Sequence, residues 1–217
     1  MKIRGREIEV KKYRHLLLIL YVPVYLISFF AMEYLVPETA EYWASYCPLD
    51  DLIPFCEYFI VPYYLWYILL FVVGIWLLIH DIPVFRLYMY CIICGFSLSI
   101  LLCIVFPNGQ DLRPETFERD NVFVDLVRFV YAADTNTNVI PSMHALGAIF
   151  AAMAISASKK VQRVSVKVFT WILAALICAA TCFVKQHSAL DVAASVVLGA
   201  TIYAILRKNI INKNEDS

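Results

Sequence analysis

Six apolar runs organise the chain, at residues 15–36, 58–79, 84–106, 142–158, 164–183 and 187–206. Crossing a bilayer takes about 20 apolar residues as a helix, so each run predicts a membrane span, the fourth being the shortest. The first run exceeds the usual hydrophobic core of a signal peptide and lacks a small-residue cleavage site, which predicts a retained span. Polar punctuation between the runs is brief except at 107–141. A connection of that length is usually functional. Inside it Val122, Phe123, Leu126, Val127 and Val130 recur at helical spacing among Asp120, Asp125 and Arg128, which predicts a short amphipathic helix in the interface. The Asp134-Thr135-Asn136-Thr137-Asn138 stretch then has turn chemistry, and Ser142 stands where an N-cap would open the fourth span. The fold class predicted is all-α, a polytopic membrane protein with a six-helix bundle, and residues 1–217 form one domain.

Composition agrees. Hydrophobic residues make up 62% of the 217 and mean hydropathy is +0.71, where soluble domains average about 45–50% apolar. Charge distribution sets orientation, because Lys and Arg concentrate in cytoplasmic loops. Lys2, Arg4, Arg6, Lys11, Lys12, Arg14, Arg86, Lys159, Lys160, Arg163, Lys167, Arg207, Lys208 and Lys213 all fall on one side of a six-span arrangement, 14 of the 18 basic residues. The opposite loop at 37–57 holds Glu38, Glu41, Asp50, Asp51 and Glu57 with no Lys or Arg. Both termini are therefore expected in the cytoplasm and loop 107–141 outside, with the plasma membrane the expected location. Arg113, Arg119, Arg128 and Lys185 lie on the outer side against this bias, which suggests an anionic ligand. Arg128 and Arg119 read equally well as balancing Asp120, Asp125 and Glu118.

Seven cysteines do not form a disulfide scaffold, since five lie within spans. Cys47 and Cys56 share the outer loop, where an oxidising exterior permits a bridge. Tyr58, Tyr63, Tyr64, Trp66 and Tyr67 crowd one end of the second span and predict an interfacial aromatic belt.

Two histidines carry the chemistry. His144 begins the fourth span and His187 the sixth, with 42 residues between them that read as one helical hairpin. Antiparallel spans would bring both imidazoles to one side of the bilayer. Asp191 stands four residues after His187, one helical turn on, and an ionisable residue inside a span normally has a partner in the bundle interior. Such a pair leaves one imidazole nitrogen bound to the carboxylate and the other available as a nucleophile. The alternative is a structural His–Asp pair. His144 would supply a proton to a leaving oxygen. No HExxH or cysteine pair points to zinc, and neither a metal, a cofactor nor a nucleic-acid partner is expected.

These segments resemble the type 2 phosphatidic acid phosphatase superfamily. Pro141-Ser142-Met143-His144 is similar to its P-S-x-H motif, His187 to Asp191 to its H-x-x-x-D motif, and Arg113-Pro114 to the R-P ending of its first motif, so residues 107–191 carry the likeness. The resemblance implies a metal-independent reaction in two steps. His187 would attack phosphorus, Asp191 would orient it, His144 would protonate the leaving alcohol, and Arg113 would hold phosphate oxygens. Two clamps of the family pattern are replaced, a lysine by Phe106 and an arginine by Thr181. Lys185, with Gln110 or Asn108, are candidates to substitute, and Ser142 would present backbone N–H groups to phosphate. The pattern is closer to the branch resembling inositol-phosphoceramide and sphingomyelin synthases.

The activity expected is hydrolysis of a lipid phosphomonoester or pyrophosphate at the outer leaflet. Transfer of a phosphorylated headgroup to another lipid alcohol is the alternative, and a non-catalytic lipid-binding or transport protein a third.

Overall fold

The computed structural model describes residues 13–35 and 41–210. Lys2, Arg4, Arg6, Lys11, Lys12, Glu38 and Lys213 of the charge pattern lie outside the described residues. Among the described residues five helices are long and apolar enough to cross a membrane, and the chain is an integral membrane protein. They are α1 (Arg14–Leu35, opening with a 3-10 turn), α3 (Ile60–His80, entered through the 3-10 turn Glu57–Phe59), α4 (Ile82–Val105), α7 (Val164–Phe183) and α8 (Ala189–Ile210). The short α2 (Leu49–Leu52) and the amphipathic α5 (Val122–Ala133) lie in connections. The expected helix in the long loop is therefore present, capped by the Asn121 side chain, which accepts from the backbone N–H groups of Phe123 and Val124 at 3.0 and 3.1 Å. Its buried stripe is Val124, Val127 and Val130, while Val122 and Leu126 face out.

The fourth apolar run forms α6 (Met143–Ala157), only 15 residues long. At 1.5 Å per residue it reaches about 22 Å, short of the roughly 30 Å hydrocarbon core. It is nevertheless the axis of the bundle, packed by α3, α4, α7 and α8 and buried on almost every side. Its sequence explains this, because Ala145, Gly147, Ala148, Ala151, Ala152 and Ala154 allow neighbouring helices to approach closely. A Cβ on Gly147 would lie 2.8 Å from the Trp66 Nε1, so glycine sets the α3–α6 separation here.

Short connections alternate the helix directions. Asp81 and Ser158, from the α3–α4 and α6–α7 turns, share a 2.6 Å hydrogen bond at one end of the bundle. At the other end gather residues 41–57, 106–142 and 184–188. There β1 (Trp43–Ala44) pairs in parallel with β2 (Asn108–Gly109), and Gly109 bridges to Thr137. The Asn108 carboxamide accepts from the N–H groups of Val139 and Ile140 at 2.8 and 2.9 Å, which fixes the approach to α6. Cys47 and Cys56 both carry free thiols. Arg128 pairs with Asp120 and Asp125 at 2.9 and 2.8 Å, whereas Arg119 pairs with Glu57 at 3.0 Å rather than with Glu118.

Candidate active site

Two helix starts meet at this end. Ser142 caps α6 as expected, its hydroxyl accepting from the Ala145 N–H at 3.3 Å, and this sets His144 in the first turn. The α7–α8 connection is built by a helix stop followed at once by a helix start. The N–H of Gln186 bonds back to the Thr181 carbonyl at 2.9 Å and that of Lys185 to Cys182 at 3.1 Å, with Lys185 left-handed at φ 55°. This is the Schellman pattern of helix ends, here with lysine where glycine is usual. Ser188 then caps α8, which begins two residues later than the apolar run. Its hydroxyl accepts from the Leu190 N–H at 3.1 Å, and Asp191 accepts from the Ser188 N–H at 2.9 Å. Ser188-Ala189-Leu190-Asp191 is thus a capping box. His187 is held between the two motifs.

The rings of His144 and His187 stand 5.9 Å apart between centroids. His187 Nδ1 lies 3.4 Å from Asp191 Oδ2, too long and misaligned for a hydrogen bond. Asp191 is fully buried and its Oδ1 accepts from the Ser45 hydroxyl. His144 is packed between Tyr63 and Trp66, at centroid distances of 4.5 and 4.6 Å, and its buried Nε2 has no hydrogen-bond partner. Tyr63 and Trp66 are therefore not part of an interfacial belt. They are turned inward because α3 lies against α6, while Tyr58 and Tyr67 remain exposed.

Both histidines line a cavity of about 240 Å³. Its polar end consists of Asp134, Thr135, Thr137, Asn138, Gln186 and the histidines, and its apolar walls are largely aromatic, with Tyr25, Phe29 and Phe30 of α1 facing Tyr63, Tyr64 and Tyr67 of α3. Among the described residues no Lys or Arg lines it. Asp134 was not legible as a site residue, since the sequence marked it only as turn chemistry. Burial pushes its carboxyl up to about 6, with His187 opposing the rise and Glu33 adding to it.

The remaining sequence candidates sit behind this wall. Arg113 stacks on Tyr131 at 4.3 Å and donates to the carbonyls of Tyr131 and Asp134 and to Gln186 Oε1, the last two at 2.6 Å. It therefore holds two lining residues in place. Lys185 does not line the cavity, because its ammonium donates to the Asp50 and Ile53 carbonyls at 3.0 and 2.5 Å. The left-handed backbone of the helix stop aims it that way. Gln110 is also absent from the lining, with its Nε2 donating to the Lys185 carbonyl at 2.9 Å and its Oε1 accepting from the Leu112 N–H at 2.5 Å. The Asn108 side chain is spent on Val139 and Ile140, and the Ser142 hydroxyl on its cap. Asp50 accepts from the Ser188 hydroxyl, the Ala189 N–H and the Cys47 N–H at 2.6, 2.8 and 2.8 Å. Burial raises the Asp50 carboxyl, but these hydrogen bonds outweigh it and hold the group below its ordinary range.

A helical membrane bundle whose two central helix starts present a histidine pair to one cavity, with a buried aspartate behind one of them, defines the class of protein. Residues 110–215 match the family model of the PAP2 superfamily, the same superfamily that the histidine motifs resemble. The match points to phosphatase or phosphotransferase chemistry on a phosphorylated substrate. Neither a curated protein nor a solved structure gives a match.

Proposed function

We propose that the protein is a lipid phosphate phosphatase working through a phosphohistidine on His187. The observation that carries this reading is the approach of His144 and His187 to 5.9 Å at the polar end of a cavity whose walls are apolar. With Nδ1 turned to Asp191, the His187 Nε2 lone pair attacks phosphorus. A P–N bond forms, the bond from phosphorus to the lipid oxygen breaks, and His144 gives that oxygen a proton. Water then attacks phosphorus, the P–N bond breaks, and His144 recovers a proton from the water as phosphate leaves. Arg113 acts on the substrate by positioning Gln186 and Asp134. The chemistry needs no metal or cofactor.

The histidine pair sits on the outer side. Arg86, Lys159, Lys160, Arg163, Lys167, Arg207 and Lys208 lie at or near helix ends on the far side of the bundle, which the positive-inside rule assigns to the cytoplasm. Both termini are then cytoplasmic in a plasma-membrane protein, with α6 as a sixth, protein-wrapped crossing.

One observation favours transfer of a phosphorylated headgroup as a second reading. Among the described residues a carboxyl group and no Lys or Arg line the cavity, which suits a substrate with less negative charge than a phosphomonoester dianion. Purified protein in vesicles, given phosphatidic acid, phosphatidylglycerophosphate, a sphingoid phosphate or a polyprenyl pyrophosphate, and in a parallel series a phosphodiester lipid such as phosphatidylcholine or phosphatidylinositol, tests both. Free phosphate without added alcohol supports the phosphatase. Product only with diacylglycerol or ceramide supports the transferase. Product in neither arm overturns both.

A further inference from the structure

The loop at 41–57 precedes the matched segment 110–215, yet it supplies the supports of the proposed nucleophile. Ser45, which is 1% exposed, donates its hydroxyl to Oδ1 of Asp191, which is 0% exposed. Asp50 grips the start of α8 twice, through the Ser188 hydroxyl at 2.6 Å and the Ala189 N–H at 2.8 Å. The carbonyls of Asp50 and Ile53 hold the Lys185 ammonium on the other flank of His187. The loop is itself pinned to the site end, since the Ser45 N–H donates to the Gly109 carbonyl at 2.7 Å.

These contacts have a directional consequence. Asp191 has one oxygen for the helix cap and His187, and the other would be unsatisfied in a buried setting without Ser45. A hydroxyl donating to a buried carboxylate stabilises its charge and stops rotation about the Cβ–Cγ bond. The 3.4 Å separation from His187 leaves little room for such rotation before the pair is lost. Asp50 acts one step further back, holding the capping box that sets where Asp191 sits.

We infer that Ser45 and Asp50 are positioning residues for the nucleophile, Ser45 by locking the Asp191 carboxylate and Asp50 by locking the start of α8. The loop ahead of the matched segment is then part of the catalytic unit. The inference rests on His187 being the nucleophile.

The test uses full-length protein in vesicles with the lipid phosphate of the panel that is turned over fastest. Ser45→Ala is expected to lower kcat about 10²-fold through misplacement of the relay, with KM unchanged. In an Asp191→Ala background the same substitution should cost less than about twofold, because the interaction it breaks is already gone. Asp50→Asn, which keeps the shape of the side chain, should lower kcat in the same way and decides the matter if Ser45→Ala does not fold. Monodisperse elution and a cooperative thermal transition that stays above the assay temperature for Asp50→Asn separate positioning from loss of structure. Wild-type kcat in both single variants, alongside an inactive His187→Ala, overturns the inference and leaves the phosphohistidine reading standing. Equal losses in the presence and absence of Asp191 overturn it too. Turnover unaffected by His187→Ala removes the nucleophile itself, and both readings fall together.

Discussion

His144 and His187 face each other at 5.9 Å although 42 residues separate them, because each stands at the start of a helix and the helix between them runs the opposite way. Neither imidazole depends on a flexible loop tip. The first is placed by the Ser142 cap and the second by a Schellman stop joined to a capping box, so the pair inherits the rigidity of the bundle.

His187→Ala should abolish turnover, and His144→Ala should lower kcat by about 10²–10⁴-fold, the usual contribution of a positioned acid. Phosphate should be found on His187 by mass spectrometry of protein mixed with substrate and quenched without acid. With His144→Ala the same adduct should form more slowly. An adduct on another residue would refute the assignment of the nucleophile.

Asp134 predicts a pH dependence of binding. Its carboxyl titrates at about 6, so it is neutral below that pH and negative above it. The cavity wall loses a negative charge as pH falls, and KM for an anionic phosphate ester should fall with it. Asp134→Asn should remove this step while leaving the substrate's own titration in place. Identical KM–pH curves for the two proteins would exclude Asp134 as the source.

Lys185 predicts a split between stability and binding. Lys185→Met would leave the Asp50 and Ile53 carbonyls without their donor, at a cost of about 1–3 kcal/mol for each buried group left unsatisfied. The thermal midpoint should drop, and KM should stay at its wild-type value. A large rise in KM with an unchanged midpoint would instead make Lys185 a phosphate clamp.

Gly147→Ala should be destabilising despite alanine's better helix propensity. The added methyl would meet Trp66 Nε1 at 2.8 Å and Leu70 at 3.2 Å, an overpacking that costs typically about 1–3 kcal/mol. Relief comes by moving Trp66, which packs on His144, so kcat should fall as well. Trp66 fluorescence in a background lacking the other tryptophans would report the shift.

The periodic and local features were legible in the sequence. Apolar runs marked the spans because backbone polar groups in lipid must be satisfied within a helix. The repeat at 122–130 marked α5, Ser142 marked the cap of α6, and the order of PSMH and HSALD marked the histidine pair and its aspartate. What the sequence did not settle was where long polar side chains point. Arg113 and Lys185 look alike as cations placed against the charge bias, yet Arg113 ends on Gln186 and Lys185 on carbonyls of a distant loop, a choice made by backbone that is remote in the chain. Tyr63 and Trp66 have the composition of a membrane interface, but the small residues of α6 draw α3 close enough to bury them on His144. Asp134, Ser45 and Asp50 carry no motif at all. Their roles arise only when three connections converge on one end of the bundle, so tertiary structure alone decided which polar groups face the cavity and which hold it together.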